Sequence, residues 1–364
     1  MSSAFYGALT LQLVAEVAGA LGEHADQTMF AAKAAAMRDK YHATFFNATS
    51  GSYGGECCQG CHVLPIVLGS VPKPLLPAVT AALVRSLYCY HGDSKQVAIT
   101  GGGVTTRYIF EALVKVGRED LGLQLATKTT FPSFGYMLAQ GPGTIWERWS
   151  GSTFVAAGTS SKNHHMYSGG VGRFLYSTVA GISTEVRNRN GLWHRPVVVR
   201  PSLAIMRVLG HAAATVPSPW GETSISWKYV PSLGNSGGAS HQSESWVVNI
   251  STPVRRAVLA DTGLPAMHLR LPLPARPSTV LCSVPGATAA PSSPCLRLAV
   301  SGGEVTSDQE WGGECGFGDV RIAAERVPDD DGGVDEARTY LEAEVLGTAP
   351  SEVSCVLTSM SSAG

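Results

Sequence analysis

Apolar residues in the first half of the chain recur at helical spacing and are separated by short clusters of turn-forming residues. The spacing predicts seven helices, over residues 3–22, 25–44, 61–69, 75–90, 104–116, 118–127 and 167–180. An Asn-, Ser- and Gly-rich cluster at 47–55 and a Gly-rich stretch at 100–103 mark turns between them. Helices joined by such short connections are expected to pack as antiparallel neighbours.

After about residue 181 the pattern changes from helical spacing to strands. A short apolar run at 196–200 is bounded by prolines, residues 223–229, 246–250 and 267–271 alternate with a period of two, and 339–346 is a further predicted strand. Gly, Pro and Ser clusters separate these strands, which is typical of an antiparallel β-sandwich. The predicted fold class is therefore an α + β multidomain chain. Its domains are a helical domain at 1–182, a β-sandwich at 183–346 and a tail at 347–364.

Composition excludes several classes of function. The 364 residues are 44% apolar and 15% charged, which predicts a folded protein with a substantial core. A formal net charge of −1 argues against a nucleic-acid partner. No apolar run reaches the roughly 18 to 20 residues of a membrane span, so no membrane partner is expected. Glu16 interrupts the apolar N-terminal stretch, which also lacks a basic region; this favours a folded helix over a signal peptide and leaves the location open.

The eight cysteines leave two interpretations open. Three of them lie within residues 57–61, next to His62, and thiolate and imidazole are zinc ligands. A second ligand pair at the usual spacing is missing, however, and Cys89 stands alone. Small buried thiols at a loop-to-helix junction are therefore favoured. No metal and no cofactor are predicted, and the acidic run at 329–331 is expected to be a solvated loop rather than a calcium site.

The clearest candidate for chemistry is the run GPGTIWERWS at 141–150, which places Glu147 and Arg148 between Trp146 and Trp149. Indole rings stack on the apolar face of a sugar and exclude water. Glycoside hydrolysis needs one carboxyl group to protonate the leaving oxygen and a second to activate water or attack directly. Glu147 is the best single candidate, and Arg148 would keep it ionised. The alternative is a surface ion pair beside packed aromatic residues.

A second polar run, SSKNHHMY at 160–167, precedes the last predicted helix. Side chains and free backbone N–H groups at the start of a helix face outward together, so His164 is a candidate ligand-binding residue. Asn163 is a candidate of the same kind, although capping of the helix is the slightly favoured role. The two runs give one candidate site, with Glu147 as the catalytic residue. The candidate substrate-binding residues are His164, Trp146, Trp149, Asn163 and Arg148.

Several stretches of the chain resemble α-L-rhamnosidases of the bacterial type. They are FPSFGYMLAQGPGTIWERWSGS (131–152), SSKNHHMY with GGVGRFLYSTVAGI (160–182), HVLPIVLGSVP (62–72) and, less tightly, TGGGVTTRYIFEAL (100–113) and PSPWGETSISWKY (217–229). The resemblance implies the C-terminal half of an (α/α)6 six-hairpin barrel followed by a β-sandwich. It also implies the inverting hydrolysis of terminal α-L-rhamnosides with no obligatory cofactor. The cysteine-rich segment at 57–61 departs from the family, which is usually rich in Thr and Gln there.

The motifs of the family can be carried over by position. The Glu of the W-E-R-W motif is the general base, here Glu147, and the His of the S-x-N-H motif contacts the substrate, here His164. Supporting residues are then expected at Trp146, Trp149, Tyr136 and Thr144. The general acid of the family lies in an upstream Arg-x-Glu-Arg-type segment that has no counterpart here. The chain alone is therefore expected to hydrolyse poorly and to expose apolar helix faces.

The expected partners are a rhamnose-containing glycoside or polysaccharide, together with a missing N-terminal half or an oligomer. Two other classes of function stay open. Another (α/α)6 glycosidase, such as a relative of glucosidases or trehalases, could use the same aromatic and polar runs. A non-catalytic carbohydrate-binding remnant would hold a sugar without turnover. The aglycone and the linkage are not specified by these residues.

Overall fold

A computed structural model describes residues 1–90, 96–141, 143–151, 161–164, 168–184, 187–189, 192–194, 197–218, 221–231, 244–251, 265–273, 278–283, 296–301, 304–307, 320–325, 339–346 and 352–359. The chain divides into two compact units, residues 1–174 and residues 175–364. The acidic run at 329–331 lies outside the described residues. Within the described part, no helix is both long enough and apolar enough to cross a membrane.

The first unit is helical. Its helices are α1 (Ser2–Ala20), α2 (His24–Phe45), α3 (Gln59–Leu68), α4 (Leu76–Tyr88), α5 (Gly103–Lys115), α6 (Glu119–Thr127), α7 (Phe134–Gln140) and α8 (Ser168–Phe174). The predicted helices are confirmed, and the last of them is divided into α8 and a π-helical segment, Leu175–Ala180, that opens the second unit. Helix α7 was not predicted, because its 7 residues are too few to show a period.

Two helices form the centre of the first unit. Helix α3 buries Val63 and Ile66, and α5 buries Ile109, Phe110 and Leu113. Each helix thus carries an apolar face that is removed from water, and the two helices pack against each other. This contact places the start of α3 beside the stretch that leads into α5. That stretch forms one wall of the cavity described below.

The cysteines at 57–61 correct one prediction. Cys57 forms a disulfide with Cys89, and Cys58 forms one with Cys61. They are therefore not small buried thiols, and Cys57 is exposed. The prediction failed because Cys57 and Cys89 are 32 positions apart and are brought together only when α3 and α4 pack. Both bridges lie at the start of α3, on either side of Gln59.

The second unit is built of strands. They are β1 (Ile182–Thr184), β2 (Arg187–Arg189), β3 (Leu192–His194), β4 (Val197–Val199), β5 (His211–Ser218), β6 (Gly221–Pro231), β7 (Glu244–Ser251), β8 (Pro265–Leu273), β9 (Ser278–Ser283), β10 (Leu296–Ser301), β11 (Glu304–Ser307), β12 (Val320–Glu325), β13 (Thr339–Leu346) and β14 (Glu352–Ser359). A short helix, α9 (Leu203–Leu209), connects β4 to β5. The order of helices first and strands second is as predicted, and each predicted strand is present.

The strands form sheets with a largely antiparallel pattern. A seven-stranded sheet has the order β11-β10-β9-β14-β7-β6-β5, and all its pairs are antiparallel. A five-stranded sheet has the order β1-β4-β8-β13-β12. Its β4–β8 pair is parallel, which departs from the antiparallel expectation. A parallel pair needs a long connection, and α9 with β5 to β7 supplies it. Strand β14 lies inside the seven-stranded sheet, although it belongs to the segment that was predicted as a tail.

Candidate active site

The two polar runs that the sequence singled out lie side by side in the first unit. The backbone N–H of Glu147 donates to the carbonyl of Ser161 at 2.9 Å, and the N–H of His164 donates to the carbonyl of Ile145 at 2.7 Å. The hydroxyl of Thr144 also donates to the carbonyl of Lys162. Because three hydrogen bonds cross between the runs, the backbone around Glu147 is held from both sides.

The carboxylate of Glu147 is fixed through one of its oxygens. Oε2 accepts a hydrogen bond from the N–H of Ser161 at 3.1 Å and lies 3.8 Å from Nε2 of His164. The side chains of Glu147 and His164 are 36% and 27% exposed, so this pair is open to solvent. Among the described residues, Oε1 has no hydrogen-bond partner. The carboxylate is therefore oriented by one oxygen while the other stays available to a ligand.

Glu147 faces a cavity of about 360 Å³ in the first unit. Ligand pockets in proteins typically start at about 300 Å³, so the cavity is large enough for a small ligand such as one sugar ring. Its walls come from residues 100–103, which lead into α5, and Thr106 on α5, from Phe134 and Met137 on α7, and from residues 145–150. Among the described residues that line it, Glu147 is the one carboxylate.

Trp149 lines the cavity in a fixed orientation. Its Nε1 donates a hydrogen bond to the carbonyl of Gly101 at 3.2 Å. Its ring meets the ring of Phe134 edge to face, with centroids 5.5 Å apart. The indole is half-buried, so part of it faces the cavity. Trp149 therefore offers an apolar surface beside Glu147, as stacking on a sugar requires.

Trp146 is packed into the wall instead. It is 2% exposed, and the ammonium of Lys162 lies 4.6 Å from its ring centroid. The ring of Tyr136 meets it edge to face at 6.2 Å. A Cβ atom at Gly151 would come within 2.8 Å of the indole, so a residue without a side chain is required there. The geometry favours a supporting role for Trp146 over direct stacking.

The remaining predicted site residues lie at the edge of the cavity or outside its walls. Arg148 is exposed and lines the cavity, and Nε2 of His164 lies 3.8 Å from the carboxylate of Glu147. Asn163 is exposed, and its N–H donates to the hydroxyl of Ser161 at 3.0 Å. Helix α8 begins at Ser168, and residues 165–167 lie outside the described residues, so the capping role of Asn163 stays a prediction. In the described structure, Asn163 and His164 lie outside the cavity walls.

One wall of the site was not anticipated from the sequence. The stretch 100–103 was predicted only as a turn before α5, yet all four residues line the cavity. The buried side chain of Gln59 holds this stretch through hydrogen bonds to Thr100 and Gly101. A signal was available in the three consecutive glycines, since such a stretch lets a backbone approach a ligand closely. Gln59 had no local signal, because its role depends on the packing of α3 against α5.

Comparison with known proteins shows what the helical unit resembles. Residues 1–179 match the family model described as the bacterial alpha-L-rhamnosidase 6 hairpin glycosidase domain. The helical unit therefore resembles a six-hairpin glycosidase domain. Within that class, the proteins that the chain resembles are α-L-rhamnosidases, as its motifs predicted.

Two curated relatives and two solved structures illustrate the similarity. The chain is 26% identical over 231 residues to an α-L-rhamnosidase of Alteromonas sp. (strain LOR), and 30% identical over 233 residues to one of Streptomyces avermitilis. These alignments cover 62% and 63% of the chain but only 24% and 20% of the relatives. The structure of an α-L-rhamnosidase from Dictyoglumus thermophilum matches with a TM-score of 0.60 and 20% identity. That of the Streptomyces avermitilis enzyme complexed with L-rhamnose matches with a TM-score of 0.60 and 21% identity.

The structural matches cover nearly the whole chain but a minor part of the relatives. Both cover 98% of this chain, and they cover 32% and 26% of the Dictyoglumus thermophilum and Streptomyces avermitilis chains respectively. At these identities the structures establish a shared fold. The activity of the whole relatives is not thereby assigned to this chain.

Proposed function

We propose that the chain forms part of an α-L-rhamnosidase and binds a terminal rhamnose in the cavity beside Glu147. The observation that carries the proposal is the carboxylate of Glu147, oriented by Ser161 and His164 and facing a cavity beside Trp149. A sugar ring placed on the half-buried indole would have its anomeric carbon within reach of a water molecule held by Oε1. The similarity to α-L-rhamnosidases supports rhamnose as the sugar.

In this proposal Glu147 is the general base of an inverting hydrolysis. Its carboxylate takes a proton from water while the water oxygen attacks the anomeric carbon, and the bond to the leaving oxygen breaks on the opposite face. The leaving oxygen must receive a proton from a second carboxyl group, roughly 6.5 to 9.5 Å away in inverting enzymes. Because Glu147 is the one carboxylate among the described cavity residues, we assign the acid to a polypeptide segment other than these.

The proposal includes the finer architecture. The helices of the first unit would form part of an (α/α)6 barrel, and the strands of the second unit a β-sandwich. The match of residues 1–179 to the six-hairpin domain and the fold shared with the solved rhamnosidases support this assignment. The rest of the barrel would carry the general acid and close the cavity. The chain alone is then a sugar-binding part with little hydrolytic activity.

The first test uses the chain itself. Binding of L-rhamnose is measured by saturation-transfer NMR, and hydrolysis by release of nitrophenol from 4-nitrophenyl α-L-rhamnopyranoside. We expect saturable binding of rhamnose, weakened by Trp149→Ala, with little release of nitrophenol. Glucose serves as the competing sugar that should not displace rhamnose. Absence of rhamnose binding, or equal binding of glucose, contradicts the assigned substrate.

The role of Glu147 is tested in a chimera. The chain replaces the corresponding part of the Streptomyces avermitilis relative, which supplies the remaining barrel. Loss of a general base typically costs 10² to 10⁴ in rate, so Glu147→Gln should lower kcat by about that factor. Added azide should restore nitrophenol release and give the rhamnosyl azide of inverted configuration, because azide needs no proton removal. Full activity of Glu147→Gln, or azide of retained configuration, contradicts the assignment.

A further inference from the structure

The side chain of Gln59 is a buried amide that joins two elements of the first unit. It is 2% exposed. Its Nε2 donates to the carbonyls of Ser86 at 3.2 Å and Ala98 at 2.7 Å. Its Oε1 accepts from the N–H groups of Thr100 at 2.9 Å and Gly101 at 3.2 Å. An amide has two donor hydrogens and two acceptor lone pairs, so every hydrogen-bonding position of Gln59 is used.

The stretch that Gln59 holds has no regular structure of its own. Residues 96–102 belong to neither a helix nor a strand, so their backbone groups lack the partners that such elements provide. The carbonyl of Ala98 and the N–H groups of Thr100 and Gly101 are hydrogen-bonded by Gln59 instead. A side chain of α3 thus helps to hold this stretch, together with hydrogen bonds from the N–H of Ala98 to the carbonyl of Leu87 and from the hydroxyl of Thr106 to the carbonyl of Gly101.

The same stretch sets the position of Trp149. The N–H of Gly101 is bound by Gln59, while its carbonyl accepts the hydrogen bond from Nε1 of Trp149. One residue thus connects the buried amide to the indole that lines the cavity. A displacement of Gly101 would release the indole from its orientation and would also move the wall formed by residues 100–103.

The backbone of Gln59 is fixed by covalent bonds on both sides. The Cys58–Cys61 disulfide joins two residues that flank Gln59. The Cys57–Cys89 disulfide joins Cys57, two positions before Gln59, to the end of α4. Ser86, whose carbonyl Gln59 binds, lies on α4. Gly60 packs against Thr105 so closely that a Cβ would come within 2.6 Å of its hydroxyl, which brings α3 against the start of α5. Gln59 therefore has little freedom to follow a moving loop.

We propose that Gln59 is a positioning residue of the sugar site, which acts through Gly101 to orient Trp149. It does not contact the sugar. The expected effect on rhamnose binding rests on the proposed function. The coupling of Gln59 to Trp149 does not depend on it. Loss of the amide should free the indole, enlarge the range of its orientations and weaken binding of the sugar ring that packs on it.

The experiment compares three variants of the whole chain. Gln59→Met keeps an unbranched side chain of similar length and removes all four hydrogen bonds. Gln59→Leu also removes all four hydrogen bonds, with a shorter apolar side chain, and it serves as the second variant if Gln59→Met does not fold. Gln124→Leu, an exposed position on α6, is the matched control. Folding is verified by helical circular dichroism and by thermal unfolding.

The direct readout is hydrogen exchange of the indole N–H of Trp149, followed in ¹⁵N-labelled chain and assigned with Trp149→Phe. The indole N–H of Trp227, which donates to the carbonyl of Val179 at 3.1 Å in the second unit, is the internal reference. We expect Gln59→Met to speed exchange at Trp149 by at least about tenfold, the effect of losing one ordinary hydrogen bond. Exchange at Trp227 should not change, and Gln124→Leu should match the unmodified chain.

The outcomes separate the two proposals. Unchanged exchange at Trp149 in folded Gln59→Met or Gln59→Leu overturns the positioning role. Faster exchange together with a rise in the Kd for L-rhamnose supports it. Faster exchange at Trp149 with an unchanged Kd for L-rhamnose means that Gln59 has a structural role alone. That result overturns its part in the sugar site. Failure of the unmodified chain to bind rhamnose contradicts the proposed function, while the exchange of Trp149 still decides whether Gln59 orients the indole.

Discussion

Nε2 of His164 lies 3.8 Å from Oε2 of Glu147, and the same oxygen accepts the N–H of Ser161. The imidazole therefore approaches the carboxylate oxygen that is already held, and it leaves Oε1 for a ligand. His164 also lies outside the described cavity walls. We therefore predict that His164 acts on the carboxylate of Glu147, whereas the family resemblance implies that the corresponding His contacts the substrate.

A substitution of His164 can distinguish these roles. We expect His164→Asn in the chimeric enzyme to lower kcat by up to about fivefold with little change in KM. The two side chains are 3.8 Å apart and partly exposed, and such a pair contributes about 0.2 to 1 kcal/mol, where 1.4 kcal/mol is a factor of ten. His24→Asn, at the exposed start of α2, is the control. A large rise in KM with unchanged kcat would instead show that His164 binds the sugar.

The Cys57–Cys89 disulfide should stabilise the helical unit more than the Cys58–Cys61 disulfide. They join residues 32 and 3 positions apart, and a longer closed loop removes more entropy from the unfolded chain. Loss of the first bridge, in Cys57→Ser with Cys89→Ser, should lower the free energy of unfolding by about 3 to 4 kcal/mol. Loss of the second, in Cys58→Ser with Cys61→Ser, should lower it by about 2 kcal/mol.

Both values are measured by guanidinium unfolding without reductant, followed by helical circular dichroism. Dithiothreitol provides the internal control, because it should shift the unmodified chain to or beyond the midpoint of the first double variant. The double variants should respond to dithiothreitol only through the bridge that each retains. An unmodified chain whose midpoint is the same with and without dithiothreitol would contradict the stabilising role of both bridges.

The sequence predicted what depends on local pattern. Long amphipathic segments such as α5 show several helical periods, and the two runs around Glu147 and His164 carry their chemistry in adjacent residues. The sequence could not predict the pairing of Cys57 with Cys89, because that contact arises when two helices pack. For the same reason Gln59 carried no signal. Its four partners lie between Ser86 and Gly101, and only the tertiary fold brings them to it.

The pairing of strands was likewise not predictable from the local sequence. Alternation predicted β8, but it does not indicate that β8 pairs in parallel with β4. Apolar and polar residues also alternate over 352–359, but this segment lies near the end of the sequence and was assigned to a tail. Their pairing with β7 and β9 depends on the sheet, which is a property of the whole second unit.

Helix α1 exposes an apolar stripe that should promote self-association. Leu13, Val17 and Leu21 are 50%, 57% and 72% exposed, and their spacing of four places them on one face. Exposed apolar patches are characteristic of interaction or aggregation surfaces. We expect the combined variant Leu13→Gln, Val17→Gln and Leu21→Gln to remain monomeric at higher concentration than the unmodified chain.

Sedimentation velocity over a range of concentrations measures this effect. Ala32→Gln together with Ala36→Gln changes exposed positions of α2, outside the stripe, and is the control. The control should associate like the unmodified chain. If the three-residue variant also associates to the same extent, the stripe on α1 is not the surface responsible.

His62 should make the stability of the helical unit depend on pH. It is completely buried on α3, and burial lowers the pKa of its imidazole below the ordinary value of 6.5. The positive charge of Arg85 acts in the same direction. Among the described residues, neither ring nitrogen has a hydrogen-bond partner, so the opposing backbone effect of Gly55 is weak. The folded chain therefore holds His62 neutral.

The sign of the effect follows from this lowered pKa. Below about pH 6.5 the unfolded chain binds a proton at His62 that the folded chain does not, so stability falls as the pH drops from 6.5 towards the folded-state pKa. The slope from one group is at most about 1.4 kcal/mol per pH unit. Urea unfolding between pH 5 and 8 should show this slope in the unmodified chain and in the control His24→Phe. It should be reduced in His62→Phe, because an apolar ring takes up no proton in either state. Identical slopes in all three proteins would mean that His62 is protonated equally in the folded and unfolded chain.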